Sequence, residues 1–299
     1  LVAAYFIYGR ALEKVVDIDA SAPVPSETHY DGVDYMPLPR WRIFLIQLLN
    51  IAGTGPIFGA ILGACYGPVA FVWITLGGIL MGAMHDFVAG VISLRNEGRS
   101  LPETIGKYLG RNMYRLSMVV IPILMVLVGG VFIVTPSKIL ASMTDMPYLV
   151  WVGVVIAYYF IATILPVDKI IGKIYPLFAL ALIFMAIGIL VVLYTKGGVL
   201  PELWDGLHNT HPNAEALPIF PIMFVSIACG AISGFHATQS PLMARCMTNE
   251  HHGRPVFYGA MITEGIVALI WAAAATIFFH DNGMAESNAS VVVNDITRS

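Results

Sequence analysis

Charge is what this sequence has least of. Asp, Glu, Lys and Arg make up 12% of its 299 residues against 58% hydrophobic, and the mean hydropathy is +0.78. A soluble domain carries about 25% charged residues, so about half of the usual charge is missing. One soluble core of this length would also be unusually large. Surface that faces lipid removes both difficulties, because it needs no charge. The net charge of −3 gives no basis for nucleic-acid binding. Three cysteines occur, Cys65, Cys229 and Cys246, and their spacing suggests neither a disulfide framework nor a zinc site. Alternation at period two, the mark of a half-buried strand, is absent. So are a nucleotide loop, a nucleophile elbow and an H-E-x-x-H motif; no cofactor or metal is expected. His208 and His211 have H-x-x-H spacing and His251 adjoins His252, but without further ligands both pairs read as solvated loop residues.

What is present is a series of long apolar runs. A spanning helix needs about 20 mainly apolar residues, and seven segments approach that length: 43–65, 69–93, 115–135, 148–166, 174–195, 219–240 and 256–279. Residues 1–9 read as the tail of another span. Opening inside an apolar run and stopping at Ile296-Thr297-Arg298-Ser299, the chain reads as a piece of a longer protein. Segment 100–112 follows Ser100-Leu101-Pro102-Glu103, a helix start, and is expected at the membrane surface. If loops alternate sides, 13 of the 16 Lys and Arg residues fall on one side. By the positive-inside rule that side is cytoplasmic. It holds loops 94–114 and 241–255, while 136–147 and 196–218 face outward.

Two of the spans are poor helices. One contains Asn50-Ile51-Ala52-Gly53-Thr54-Gly55-Pro56, where proline removes a donor and each glycine costs about 1 kcal/mol in a helix interior. The other contains Cys229-Gly230-Ala231-Ile232-Ser233-Gly234-Phe235-His236 and continues to Pro241. Both are expected to unwind in mid-membrane, where irregular backbone is tolerated only against protein or a cavity. Glycines that merely let helices pack closely are the alternative. Counting from 43–65, the second broken helix is the sixth, an offset of five, so the two cross in opposite directions. Interrupted helices in corresponding positions point to an inverted repeat with the substrate site at its interface. The expected fold is an all-α, multi-pass helical bundle of LeuT type (APC-like) in a single transmembrane domain. Residues 43–195 form its first five-helix repeat, and 219–279 the first two helices of a truncated second repeat.

The stretches IAGTGPIFGAILGACYGP and MGAMHDFVAGVISLRNEGRSLPETIGKYLG bring a family into view. With DGVDYMPLPRW before them and ISGFHATQSPLMARCM and GRPVFYGAMITEG after, the chain resembles the carbon starvation protein A family nearly throughout. The resemblance implies a bacterial inner-membrane transporter linked to nutrient limitation. It would import peptides or pyruvate, coupled to protons, and further spans would follow the C-terminal end. Many members carry a His-His pair just before the Gly-rich break, where this chain has Gln47-Leu48-Leu49-Asn50. Proton handling by that pair does not carry over.

Ionisable residues within spans are costly and are functional candidates by default. Four stand out: His85, Asp86, His236 and Glu264. His85, Asp86 and Glu264 are the candidates for ion coupling, with a cap or a pairing to Arg95 or Arg99 as the plainer role for Asp86. For Glu264 the plainer role is a hydrogen bond to the neighbouring broken helix. Asn50, Gly53, Thr54 and Gly55 are the first candidates for substrate contact, because a half-helix rising from Ile57 would offer free N–H groups and a positive dipole end to a carboxylate. Gly53 and Gly55 are expected to need positive φ or close backbone approach. Gly230, Ser233, Gly234 and His236 would contribute from the second break. The function these features indicate is secondary transport of a small carboxylate-bearing nutrient, with a proton in preference to sodium as coupling ion. A membrane enzyme built on His85, Asp86, His236 and Glu264, or a nutrient sensor, is the alternative.

Overall fold

The computed structural model describes residues 1–164, 167–198, 200–232, 236–282 and 289–298, and every regular element among them is helical. In chain order these are α1 (Val2–Val16), α2 (Pro25–Thr28), α3 (Arg40–Ile51), α4 (Ala60–Ala64), α5 (Val69–Gly77), α6 (Met84–Leu94) and α7 (Leu101–Leu109). There follow α8 (Arg111–Met143), α9 (Tyr148–Ile164), α10 (Val167–Lys196), α11 (Phe224–Ala231), α12 (His236–Ala244), α13 (Gly259–Asn282) and α14 (Ala289–Arg298). By length and composition Val69–Leu94, Arg111–Met143, Tyr175–Thr195 and Glu250–Asp281 can each cross a membrane. Arg40–Ile51 and Gly55–Ala64, bent by 54°, make a fifth span as a pair. The two remaining apolar segments hold the shorter helices Tyr148–Thr163 and Ile219–Ala228.

Boundaries moved where local chemistry allowed. Helix α8 continues through Pro136 to Met143, absorbing most of the loop expected at 136–147. A proline inside a helix strands the carbonyl four residues back. Here that carbonyl, of Phe132, accepts a hydrogen bond of 2.9 Å from the Tyr159 hydroxyl of α9. Helix α1 runs on to Val16, past the span tail expected at 1–9, and α10 starts at Val167, ahead of the span expected from 174. The surface helix α7 begins as its sequence suggests, with a reciprocal capping box between Ser100 and Glu103. The Ser100 hydroxyl, followed by its backbone N–H, holds the Glu103 carboxyl below the usual range. Four π-helical stretches occur among the described residues, at 55–59, 78–83, 219–223 and 254–258. Three of them carry a proline in their first turn, Pro56, Pro221 or Pro255, where its missing N–H costs no helical hydrogen bond.

The two interrupted helices pack side by side. Gln47 lies against Ser240, while an added Cβ at Gly59 would stand 2.9 Å from the Ser226 carbonyl oxygen, and one at Gly63 2.5 Å from Ile227 Cδ1. As one chain is followed from 47 to 63 its partner falls from 240 to 226 or 227, so the pair runs antiparallel and these contacts bracket both interruptions. Apolar packing divides into two large clusters. One gathers Ile61, Ile74, Ile227 and Trp271; the other gathers Ile43, Phe87, Met247 and Phe257.

Loops expected on one side of the membrane also meet in space. Arg95 bonds Glu250 and the carbonyls of Val16 and Asp17, Arg245 bonds the Gly98 carbonyl, and Leu38 N–H bonds Cys246. At the opposite end Thr210 bonds the Cys65 carbonyl, His211 packs on Tyr66, and Gly206 meets Pro68.

Candidate functional site

Between the two apolar clusters lies a layer of polar side chains. Gln47 falls in sequence between Ile46 of one cluster and Ala60 of the other, Glu264 between Ile262 and Val267, and His236 and Ser240 between Ile227 and Met243. Asp86 completes the layer from α6. All five side chains belong to residues with 0% exposure. Burying a charge in low dielectric costs several kcal/mol unless it is paired and hydrogen-bonded, so the partners matter.

Gln47 Nε2 donates to both Asp86 carboxyl oxygens, at 3.2 and 3.1 Å, and lies 3.4 Å from Ser240 Oγ. The Ser240 hydroxyl donates to Asp86 Oδ1. His236 bridges the two acids: Nε2 is 3.1 Å from Glu264 Oε2, and Nδ1 is 3.7 Å from Asp86 Oδ2 without making a hydrogen bond. The Nε2 contact needs one proton, carried by the ring or by the carboxyl. Glu264 Oε1 and Gln47 Oε1 are buried without a partner. A line of groups able to hand on a proton thus runs Asp86–His236–Glu264, across three helices, and among the described residues no Lys or Arg pairs with it.

Of the four ionisable residues singled out by sequence, three come together. The fourth, His85, is exposed on the other side of α6 and lines a shallow cavity of about 350 Å³ with Thr104 and Pro241. It therefore lies apart from any catalytic set of Asp86, His236 and Glu264. Nor does Asp86 pair with Arg95, which bonds Glu250 instead. Gln47 and Ser240 were not sequence candidates. Neutral polar side chains are common in spans, and the one signal was that both adjoin the broken segments.

The helix break falls at Ala52–Thr54, and the π-helical turn begins at Gly55 rather than Ile57. Phe58 N–H bonds the Thr54 carbonyl at 2.8 Å. Neither Gly53 nor Gly55 has positive φ, contrary to expectation. At Gly53 an added Cβ would stand 2.7 Å from the tip of the Phe132 ring, which would have to shift. Asn50 and Gly53 line a cavity of about 580 Å³ with Tyr158, Tyr159, Tyr175 and Phe178. Asn50 lies three residues beyond Gln47, one turn along the same helix face. Thr54 is half-buried and Gly55 buried. On the second interrupted helix, Gly230 is still helical within α11, the helix ends before Ile232, and Ser233 and Gly234 lie outside the described residues. His208 and His211 find no metal partners; among the described residues no group of three or more His, Cys, Asp or Glu could hold an ion.

Comparison with known proteins decides the affiliation. The family model described as carbon starvation protein CstA matches residues 1–148 and 134–299. The chain belongs to this family. An uncharacterized membrane protein of Haemophilus influenzae is 40% identical over 94% of this chain and 89% of its own length. The peptide transporter CstA of Campylobacter jejuni is 29% identical over 97% of this chain and 50% of its own. The pyruvate/proton symporter BtsT of Escherichia coli is 26% identical, over 92% and 47% respectively. The chain thus spans about half the length of these named transporters. No solved structure matches. With its apolar spans and these relatives, this CstA-family chain is a multi-pass inner-membrane protein.

Proposed function

We propose that this CstA-family chain forms the substrate- and proton-handling core of a secondary transporter that imports small carboxylate-bearing nutrients, peptides or pyruvate. The observation that carries this is the antiparallel pair of interrupted helices with Asp86, His236 and Glu264 buried at its mid-height. In this reading the two broken helices are the first members of LeuT-type five-helix inverted repeats, 43–195 and a truncated 219–279. The antiparallel register supports it, since inverted repeats present their broken helices in that way. Asn50 and Gly53 contact the substrate from the cavity, with Thr54, Gly55 and the second interruption completing the site. Glu264, through His236, exchanges the coupled proton as the bundle opens to alternate sides. A proton is favoured over sodium because the layer is built of titratable groups with an imidazole at its centre. The names of the Campylobacter and Escherichia relatives supply the two substrate classes.

The test is uptake by proteoliposomes containing the full-length protein under an imposed proton gradient, with labelled dipeptide and labelled pyruvate run in parallel. Accumulation of either that collapses with a protonophore is expected. Uptake of neither, or uptake indifferent to the gradient, would overturn the proposal.

A further inference from the structure

On the basic side of the bundle, away from the acid layer, a second cavity of about 650 Å³ opens between α1, α3 and the π-helical turn before α13. Its polar wall is Arg40, Arg254, His251 and Glu13, and its apolar wall includes Tyr5 and Trp41. Two separate chain segments, α3 with Arg40 and the turn before α13 with His251 and Arg254, bring cations or ring N–H groups to one concavity. Arg254 is held by the Tyr5 ring, with its guanidinium carbon 5.0 Å from the ring centroid. Its Nε lies 2.9 Å from Glu13 Oε2, yet Nε and Nη1 are both buried without a hydrogen-bond acceptor. Glu13 offsets one of the two guanidinium charges. Arg40, exposed at the first turn of α3, has no such counter-ion in the cavity. The N–H groups of a helix's first turn add positive potential there.

Position says what kind of anion would come. Trp41 is 56% exposed beside Arg40, and Trp with Arg at a span's end marks the membrane–water interface. The cavity sits on the side to which alternating loops assign 13 of the 16 Lys and Arg residues. Basic pockets between spans on that face suit anionic headgroups. The geometry points to this cavity as a binding site for a phosphate-bearing anion, its phosphate beside the exposed Arg40 with the half-buried Arg254 adding its charge from the opposite wall. Acyl chains, where the anion is a lipid, would lie along Trp41 and Phe44. The site is independent of the transported substrate and of the Asp86–His236–Glu264 layer.

The experiment is thermal unfolding of the detergent-purified full-length protein, titrated with phosphatidylglycerol, phosphatidylcholine or inorganic phosphate. Phosphatidylglycerol should raise the midpoint and phosphatidylcholine should not. Each arginine removed weakens attraction to an anionic headgroup by about fivefold. Arg40→Gln should therefore shift the titration by about that factor, and the double change with Arg254→Gln further. Arg10→Gln, on the exposed side of α1, should leave it unchanged. A response to phosphatidylglycerol alone makes the ligand a lipid; a response to inorganic phosphate as well makes it a soluble phosphate compound. Should Arg254→Gln not fold, Arg40→Gln alone decides. No response to either anion, or equal loss in Arg40→Gln and Arg10→Gln, would overturn the assignment.

Discussion

Glu264→Gln is the sharpest perturbation of the acid layer. Glutamine has nearly the shape of glutamate, and its carbonyl oxygen can still accept from His236 Nε2 across the 3.1 Å now spanned. Glu264 pairs with no cation among the described residues apart from His236, so the change strands no buried charge, and folding should survive. What disappears is a transferable proton. With one proton per substrate, a difference of about 1 pH unit supplies about 1.4 kcal/mol, or about tenfold accumulation. The expected outcome is that wild type reaches about that ratio, while Glu264→Gln stays near unity yet still exchanges internal for external substrate. Exchange and gradient-driven uptake would be measured side by side in proteoliposomes of the full-length protein. If the variant accumulates substrate as wild type does, Glu264 carries no coupled proton and Asp86 takes its place in the reasoning. If both activities vanish together with the folded protein, the role is structural.

The packing of the interrupted helices makes a paired prediction. Gly59→Ala puts a methyl 2.9 Å from the Ser226 carbonyl, which can yield only by moving α11, and overpacking of that kind costs about 1–3 kcal/mol. Gly188→Ala meets nothing within 4 Å and should be neutral, or stabilising by up to about 1 kcal/mol; equal unfolding midpoints for the two variants would refute the side-by-side arrangement. Gln47→Leu removes two of the hydrogen bonds donated to buried Asp86 and should cost about 1–3 kcal/mol. Chemical unfolding of Gln47→Leu beside Gln47→Asn would show it, and no loss in either would mean the amide is idle. For topology, an impermeant thiol reagent on intact cells should label a cysteine at position 205 and spare one at position 100, in a background lacking Cys65, Cys229 and Cys246. The reverse pattern would invert the arrangement.

Much was legible in the sequence because the bilayer is a demanding solvent. It requires long apolar runs, confines Lys and Arg to one set of loops, and makes any interior acid or imidazole conspicuous. Apolar length, charge asymmetry and the Gly-Pro interruptions are all one-dimensional patterns. They could therefore indicate an all-helical membrane chain, the segments that would become helices, and Asp86, His236 and Glu264 as residues worth following. Tertiary structure decided what those residues do to one another. His85 and Asp86 are neighbours in sequence, but a helix turns about 100° per residue, so one faces outward and the other inward. Only packing could say which. Gln47 and Ser240 are 193 residues apart and enter the site because two interrupted helices lie antiparallel. No periodicity records that relation. Gly53 faces the Phe132 ring on a different helix, and the Phe132 carbonyl freed by Pro136 found its donor in Tyr159. Contacts of this kind depend on which surfaces meet, and sequence spacing constrains only how each surface is made.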